Sequence, residues 1–176
     1  MNRLEDVLLI TGTIGSGKST LARYVAEHLG WECMSEDAYW VRRGWSGIRT
    51  EEQERTVQAE VTKDLISSVR AGHHVALEFI LYKEPPNPIT AYQEQLARNG
   101  ISFETLVLWP SSLDEIMRRV KERGRPHDLS RLEELRAGAE HQFAVLQSAS
   151  VRPASVVDPT NMTVEAIYNA WLSQHQ

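Results

Sequence analysis

The sequence predicts an α/β fold in three layers: a five-stranded parallel sheet with helices on both faces. Three observations predict it. Short β-type runs alternate with helical stretches along the chain, and no Gly/Ser-rich linker, charge block or repeat breaks the alternation. The first β-type run, VLLI, leads through TGTIGSGKST straight into the helical LARYVAEHLG. The length, 176 residues, suits one core, so residues 1–176 are expected to form a single domain.

The elements follow in order. Strands are expected at Val7 to Thr11, around Trp31 to Met34, at His74 to Phe79, at Phe103 to Trp109 and at Ala154 to Asp158. Thr50 and Gln53 make a capping box for a helix whose Val57, Val61, Leu65 and Val69 recur every fourth residue, with Gly72 as its stop. Ser112 with Glu115 opens LDEIMRRVKERG, whose Leu113, Ile116, Met117 and Val120 form one apolar stripe. Ser130 with Glu133 is expected to open a third helix carrying Leu132, Leu135, Phe143 and Leu146, and Thr163 to cap the last. His73 and His74 read as the entry to a strand.

Composition excludes several classes. The chain is 41% hydrophobic and 24% charged, and no apolar stretch approaches the roughly 20 residues that span a bilayer. MNRLEDVLLITG lacks the pattern of a signal peptide, since its short apolar run enters the glycine-rich loop. The expected location is the cytoplasm, with no membrane partner. A net charge of −5 argues against tight sequence-independent binding to nucleic acid. Cys33 is the only cysteine, which excludes an internal disulfide and a cysteine zinc cluster, and it is expected to be a small buried strand residue. Nothing in the sequence indicates oligomeric state.

The spacing from Gly12 to Gly17, Lys18 and Ser19 fits G-x-x-x-x-G-K-[ST], between strand and helix where that motif works. Polyphosphate must be approached by backbone, and glycines let the chain turn its N–H groups inward at a helix N-terminus. Gly12, Thr13, Ile14, Gly15, Ser16, Gly17, Lys18, Ser19 and Thr20 are therefore the expected nucleotide-binding loop. Lys18, expected on an exposed loop, serves the β- and γ-phosphates of ATP, Ser19 ligates Mg²⁺, and Thr20 reaches the α-phosphate. With this loop the predicted fold is the three-layer P-loop NTPase fold. The Asp-x-x-Gly and Asn-Lys-x-Asp of GTPase switches and the Ser-Gly-Gly-Gln of ABC proteins are absent. RRVKERGRPHD instead gathers Arg118, Arg119, Lys121, Arg123 and Arg125, cations of the kind phosphoryl transfer uses to neutralise spread charge.

With these motifs in hand, the chain resembles the small P-loop kinases, among them nucleoside monophosphate, shikimate and gluconate kinases and chloramphenicol phosphotransferase. GTIGSGKST, an acidic residue after the second strand, RRVKERGRP and VVDPTNMTVEAI carry the likeness over nearly the whole length. The resemblance implies an ATP- and Mg²⁺-dependent phosphotransferase with a small-molecule acceptor and a short Arg-rich lid at about 123–131. One lid alignment gives Arg118 to the base and Arg125 to the phosphates; the other gives these roles to Arg119 and Arg123. The VVDPTN turn, by the same likeness, closes over adenine with backbone from Asp158 to Asn161.

On the acceptor side, expected at about 37–71, the resemblance makes Asp37 of SEDAYW the carboxylate that binds the acceptor hydroxyl and takes its proton, with Glu36 in reserve. Trp40, Trp45, Arg42, Arg43 and Arg49 stand where the family carries its acceptor-binding element, and Trp40 and Arg43 are the expected contacts. Glu78 is read from its position: one carboxylate at the C-terminal end of an otherwise apolar strand, where open α/β sheets place ligands. The Asp-x-Asp and Gly-Gly-Gly of shikimate kinase and the Asp-x-Asp-x-x-His of gluconate kinase are absent, so both of those acceptors are disfavoured. Two other functions remain open, an NTP-binding accessory protein without an acceptor and a polynucleotide-end kinase.

Overall fold

A computed structural model describes residues 4–45, 49–147 and 155–175. The expected strand start at Ala154 and the Ser46, Gly47 and Ile48 stretch of the Trp40–Arg49 segment lie outside the described residues. Five strands form one all-parallel sheet in the order β2-β3-β1-β4-β5: β1 (Val7–Gly12), β2 (Glu32–Ser35), β3 (Val75–Glu78), β4 (Phe103–Leu108) and β5 (Ser155–Val157). Eight α-helices are present among the described residues: α1 (Lys18–Leu29), α2 (Glu36–Arg42), α3 (Glu51–Arg70), α4 (Pro88–Arg98), α5 (Leu113–Arg123), α6 (Pro126–Leu129), α7 (Leu132–Gln147) and α8 (Val164–Leu172). None is long and apolar enough to cross a membrane.

β1 is buried at every position because strands flank it on both edges and helices cover both faces, which is why VLLI is apolar without alternation. Its side chains still alternate in direction. Val7 and Leu9 join Val75, Leu77 and Val107 in a core covered by α3 and α4, while Leu8 and Ile10 join Ala76, Leu106 and Leu108 in a core covered by α1 and α8. Truncating Leu9 to Ala would cost roughly 2–5 kcal/mol. A smaller cluster ties α5 to α7 through Ile116, Met117 and Ala139, with Ile14 of the glycine-rich loop packed on it. The loop is thereby anchored to the arginine-bearing helix.

Several helix starts follow the sequence. Thr50 accepts from Gln53 N and Gln53 returns the bond to Thr50 N, Ser112 accepts from Glu115 N, and Thr163 accepts from Ala166 N. Ser130 does not cap α7. Its backbone is helical and closes α6, its hydroxyl donating to His127 O at 3.0 Å, so the extended geometry an N-cap needs is lacking. α4 is unexpected from its proline-rich approach, yet its signals are there: Asn87 caps it, Pro88 occupies the first turn, and Ile89, Tyr92 and Leu96 fall on the buried face. Cys33 is exposed rather than buried, because β2 is an edge strand and α1 covers the sheet's interior. The strand order reverses about β1, so the loops after β1, β2 and β3 open onto the crevice such sheets leave at their C-terminal edge.

Candidate active site

The loop after β1 takes conformations that require its glycines. Gly12, Gly15 and Gly17 have φ of 147°, 70° and 97°. A Cβ on Gly12 would stand 2.2 Å from Leu108 O, and one on Gly15 would stand 3.0 Å from Ile116 O, whereas one on Gly17 would meet nothing. The loop is thus wedged against β4 and α5 on one side and open on the other. Lys18 is not on an exposed loop as expected: it begins α1, is 8% exposed, and donates from Nζ to Thr13 O at 2.7 Å. Burial lowers its pKa, while Glu78 and then Asp37 favour its charged form. The hydroxyls of Thr11, Thr13 and Ser16 are buried without a hydrogen-bond partner among the described residues.

A cavity of about 520 Å³ opens from this loop, lined by Gly15, Gly17, Lys18, Ser19 and Thr20, by Arg23 of α1, by Arg118, Arg119, Glu122, Arg123 and Arg125, and by Thr160 and Met162. Six of these side chains are cationic and only Glu122 is acidic. A cradle with glycines at positive φ, orphaned hydroxyls and a strong excess of positive charge fits a polyphosphate. Ser19, at the head of α1, is the lining hydroxyl that could hold a Mg²⁺ ion accompanying such a polyphosphate.

A second cavity, of about 250 Å³, adjoins the first and shares Ser19, Arg23 and Arg125 with it. Its other lining residues are Cys33, Ser35, Asp37 and Glu78. Parallel pairing sets Ser35 opposite Glu78 at the ends of β2 and β3, and the Ser35 hydroxyl donates to Glu78 Oε1. Glu78 is 5% exposed, whereas the Asp37 side chain is 66% exposed, one residue into α2. Glu36 faces the other way. At 2% exposed it accepts from Tyr92 Oη at 2.6 Å and from Trp40 Nε1 at 3.4 Å, and burial raises its pKa against those bonds and the charge of Arg49. The reserve carboxylate is therefore part of the core, and Asp37 is the one that reaches the cavity.

The lid arginines are held differently. Arg118 is bound to Glu115 and Glu122 along α5. Arg119 donates to Glu115 and across to Pro159 O and Thr160 O, tying α5 to the turn after β5. Arg123 pairs with Asp128 of α6. Arg125 has no carboxylate partner among the described residues and lines both cavities.

Other expected residues lie elsewhere. Trp40 is 5% exposed in the core beneath the Arg49 guanidinium, and Arg43 pairs with Glu60 on the surface over Trp45; neither lines the two cavities. Asp158 and Asn161 are exposed and the Asp158 carboxylate accepts from Thr160 N at 2.9 Å; of the 158–161 turn expected to close over adenine through its backbone, Thr160 lines the cavity, beside Met162. Arg23 was not expected, though its position four residues after Ser19, one helical turn along the same face, was a signal.

A family model described as AAA domain matches residues 8–139. No curated protein matches the sequence. Among solved structures, the chain is similar to shikimate kinase from Acinetobacter baumannii in complex with shikimate, at 17% identity with a TM-score of 0.64, covering 98% of this chain and 96% of that one. It is similar to a gluconokinase from Sinorhizobium meliloti 1021 at 18% identity and TM-score 0.66, covering 98% and 94%. It is also similar to the tunicamycin resistance protein of Deinococcus radiodurans at 12% identity and TM-score 0.65, covering 96% and 94%. These likenesses give it the P-loop NTPase fold of small kinases, as expected.

Proposed function

From a chain that belongs to the AAA domain family and shares its fold with shikimate kinase and gluconokinase, we propose an ATP- and Mg²⁺-dependent phosphotransferase acting on a hydroxyl or phosphate of a small molecule. One observation carries this reading: a cation-lined cavity at the phosphate loop meets, at Ser19, a second cavity bearing the carboxylates Asp37 and Glu78. An accessory nucleotide-binding protein has no use for the second cavity. The whole chain acts as one domain, with 123–131 as lid and 37–71 as the acceptor segment, in the cytoplasm.

When bound, Mg-ATP supplies the γ-phosphoryl group. Lys18 and the loop N–H groups would hold the phosphates, and Ser19 would hold the metal. Arg118, or Arg119 in the other lid alignment, would lie against the base beside Thr160 and Met162. Asp37 orients the acceptor hydroxyl and takes its proton as that oxygen bonds the γ-phosphorus and the bond to the β–γ bridging oxygen breaks, leaving ADP. A loose transition state needs little early deprotonation, so an exposed carboxylate suffices. Glu78, held by Ser35, favours the charged form of Lys18 against its burial. Arg125, uncommitted to any carboxylate, closes on the transferring group and excludes water.

The test is a thermal-shift screen of metabolites with Mg²⁺ and a non-hydrolysable ATP analogue, followed by ATP turnover on the hits. A true acceptor raises the melting temperature by mass action and is phosphorylated only with Mg²⁺ present. Failure to bind the analogue would reject the reading outright.

A further inference from the structure

We propose that the phosphoryl acceptor is anionic and that Arg23 is the residue that binds its negative group. The inference rests on the phosphotransferase reading and deepens it. Arg23 lies one turn after Ser19 on α1, and its Nε donates to Ser19 O at 3.2 Å, which fixes the start of the guanidinium and leaves both Nη groups uncommitted. It is exposed, forms no ion pair with any carboxylate among the described residues, and lines both cavities.

The other charges of that cavity have work already. Asp37 is paired with Arg49, Glu78 accepts from Ser35 and supports Lys18, and Arg125 belongs to the transferring phosphoryl group. Arg23 is the remaining cation of the lining. A guanidinium with two free Nη groups matches the paired oxygens of a carboxylate or phosphate bidentately, an arrangement stronger and more directional than a neutral hydrogen bond. The cavity thus suits a molecule with its hydroxyl toward Asp37 and its anion toward Arg23. A carboxylate and a phosphomonoester share this chemistry. At about 250 Å³ the space equals that of about eight waters, so the acceptor is small.

The experiment is calorimetric titration with Mg²⁺ and a non-hydrolysable ATP analogue at saturation, so that the phosphate loop is filled before the probe is added. The probes are matched sets: glycerol, glycerate and glycerol 3-phosphate, then glucose, gluconate and glucose 6-phosphate. At least one anionic probe should bind wild type about ten-fold or more tighter than its neutral counterpart, and the stronger of carboxylate and phosphate identifies the acceptor's anion. Arg23→Gln should erase that preference and Arg23→Lys should keep part of it. Equal binding of neutral and anionic probes, no binding of any anionic probe, or a preference that survives Arg23→Gln would each overturn the proposal. So would loss of analogue binding in Arg23→Gln with probe preference kept, which would make Arg23 a nucleotide residue. The phosphotransferase reading fails separately, by wild-type protein that does not bind the analogue at all.

Discussion

Asp37 Oδ1 accepts from Arg49 Nη2 at 3.1 Å, while the other amine of the same guanidinium lies 3.6 Å from Oε1 of buried Glu36. One arginine, lying 4.5 Å over the Trp40 ring, therefore links the exposed carboxylate of the acceptor cavity to a carboxylate in the core.

Asp37→Asn keeps the size of the side chain and removes its charge. Transfer to the acceptor should fall by about 10²-fold or more, with affinity for the ATP analogue and slow acceptor-independent hydrolysis near wild type. Transfer at the wild-type rate would move the role to Glu78, to be tested with Glu78→Gln. Arg49→Gln should destabilise the protein more than Asp37→Asn does in urea, since it strips the cation from buried Glu36 whereas Asp37 stays in water.

Lys18→Ala should abolish nucleotide turnover, by about 10²-fold or more, and leave the circular-dichroism spectrum unchanged. Among the described residues its Nζ donates to Thr13 O alone. Turnover close to wild type, measured by ADP release, would remove the loop from the chemistry. Excess chelator should likewise abolish turnover if Ser19 holds Mg²⁺ as proposed.

Arg125→Ala should lower kcat by about 10²-fold while analogue binding weakens far less, as expected of a group that meets the phosphoryl oxygens mainly in the closed state. Arg118→Ala should weaken nucleotide binding and spare kcat. If Arg119→Ala and Arg123→Ala give these two results instead, the other lid alignment holds. Arg123→Ala should in any case loosen the lid, since Asp128 loses its ion pair.

Hydrogen bonds from Arg118 and then Arg119 hold the Glu115 carboxyl at about 2, below its ordinary 4.5. With the folded pKa depressed, the unfolded chain takes up the proton first. The stabilisation is fully present above about pH 4.5 and is lost as pH falls toward 2. The difference in urea midpoint between wild type and Glu115→Gln should narrow over that window. A constant difference would mean that Glu115 is not ion-paired in solution.

Tyr92→Phe should cost about 1.5–3 kcal/mol, the range for a hydrogen bond to a charged group, because Glu36 Oε2 would lose its 2.6 Å donor in the core. Equilibrium urea unfolding measures it. A cost below about 0.5 kcal/mol would show that Glu36 finds another donor.

The sequence by itself determined the parallel sheet, most of its helix caps and the phosphate loop, because each rests on local rules: an apolar strand, glycines at positive φ, a hydroxyl three residues ahead of a free N–H. It put Glu78 at the end of β3 and Asp37 just after β2, on the edge where an open sheet leaves a crevice. It could not tell Asp37 from Glu36. Adjacent residues on a helix start point in different directions, and only the packing of α2 against Tyr92 of α4, with Trp40 one turn along α2 also donating to Glu36, sends one carboxylate into the core and leaves the other in the cavity. Trp40 and Arg43 were drawn away from the acceptor by the same packing and by Glu60. Cys33 came out exposed because strand order, not strand composition, decides which strand is an edge. Arg23 entered the site for the matching reason. Where a helical arginine points is set by what faces that turn of the helix, and in this protein the end of β2, which follows α1, and the end of β3, distant in sequence, line the same cavity.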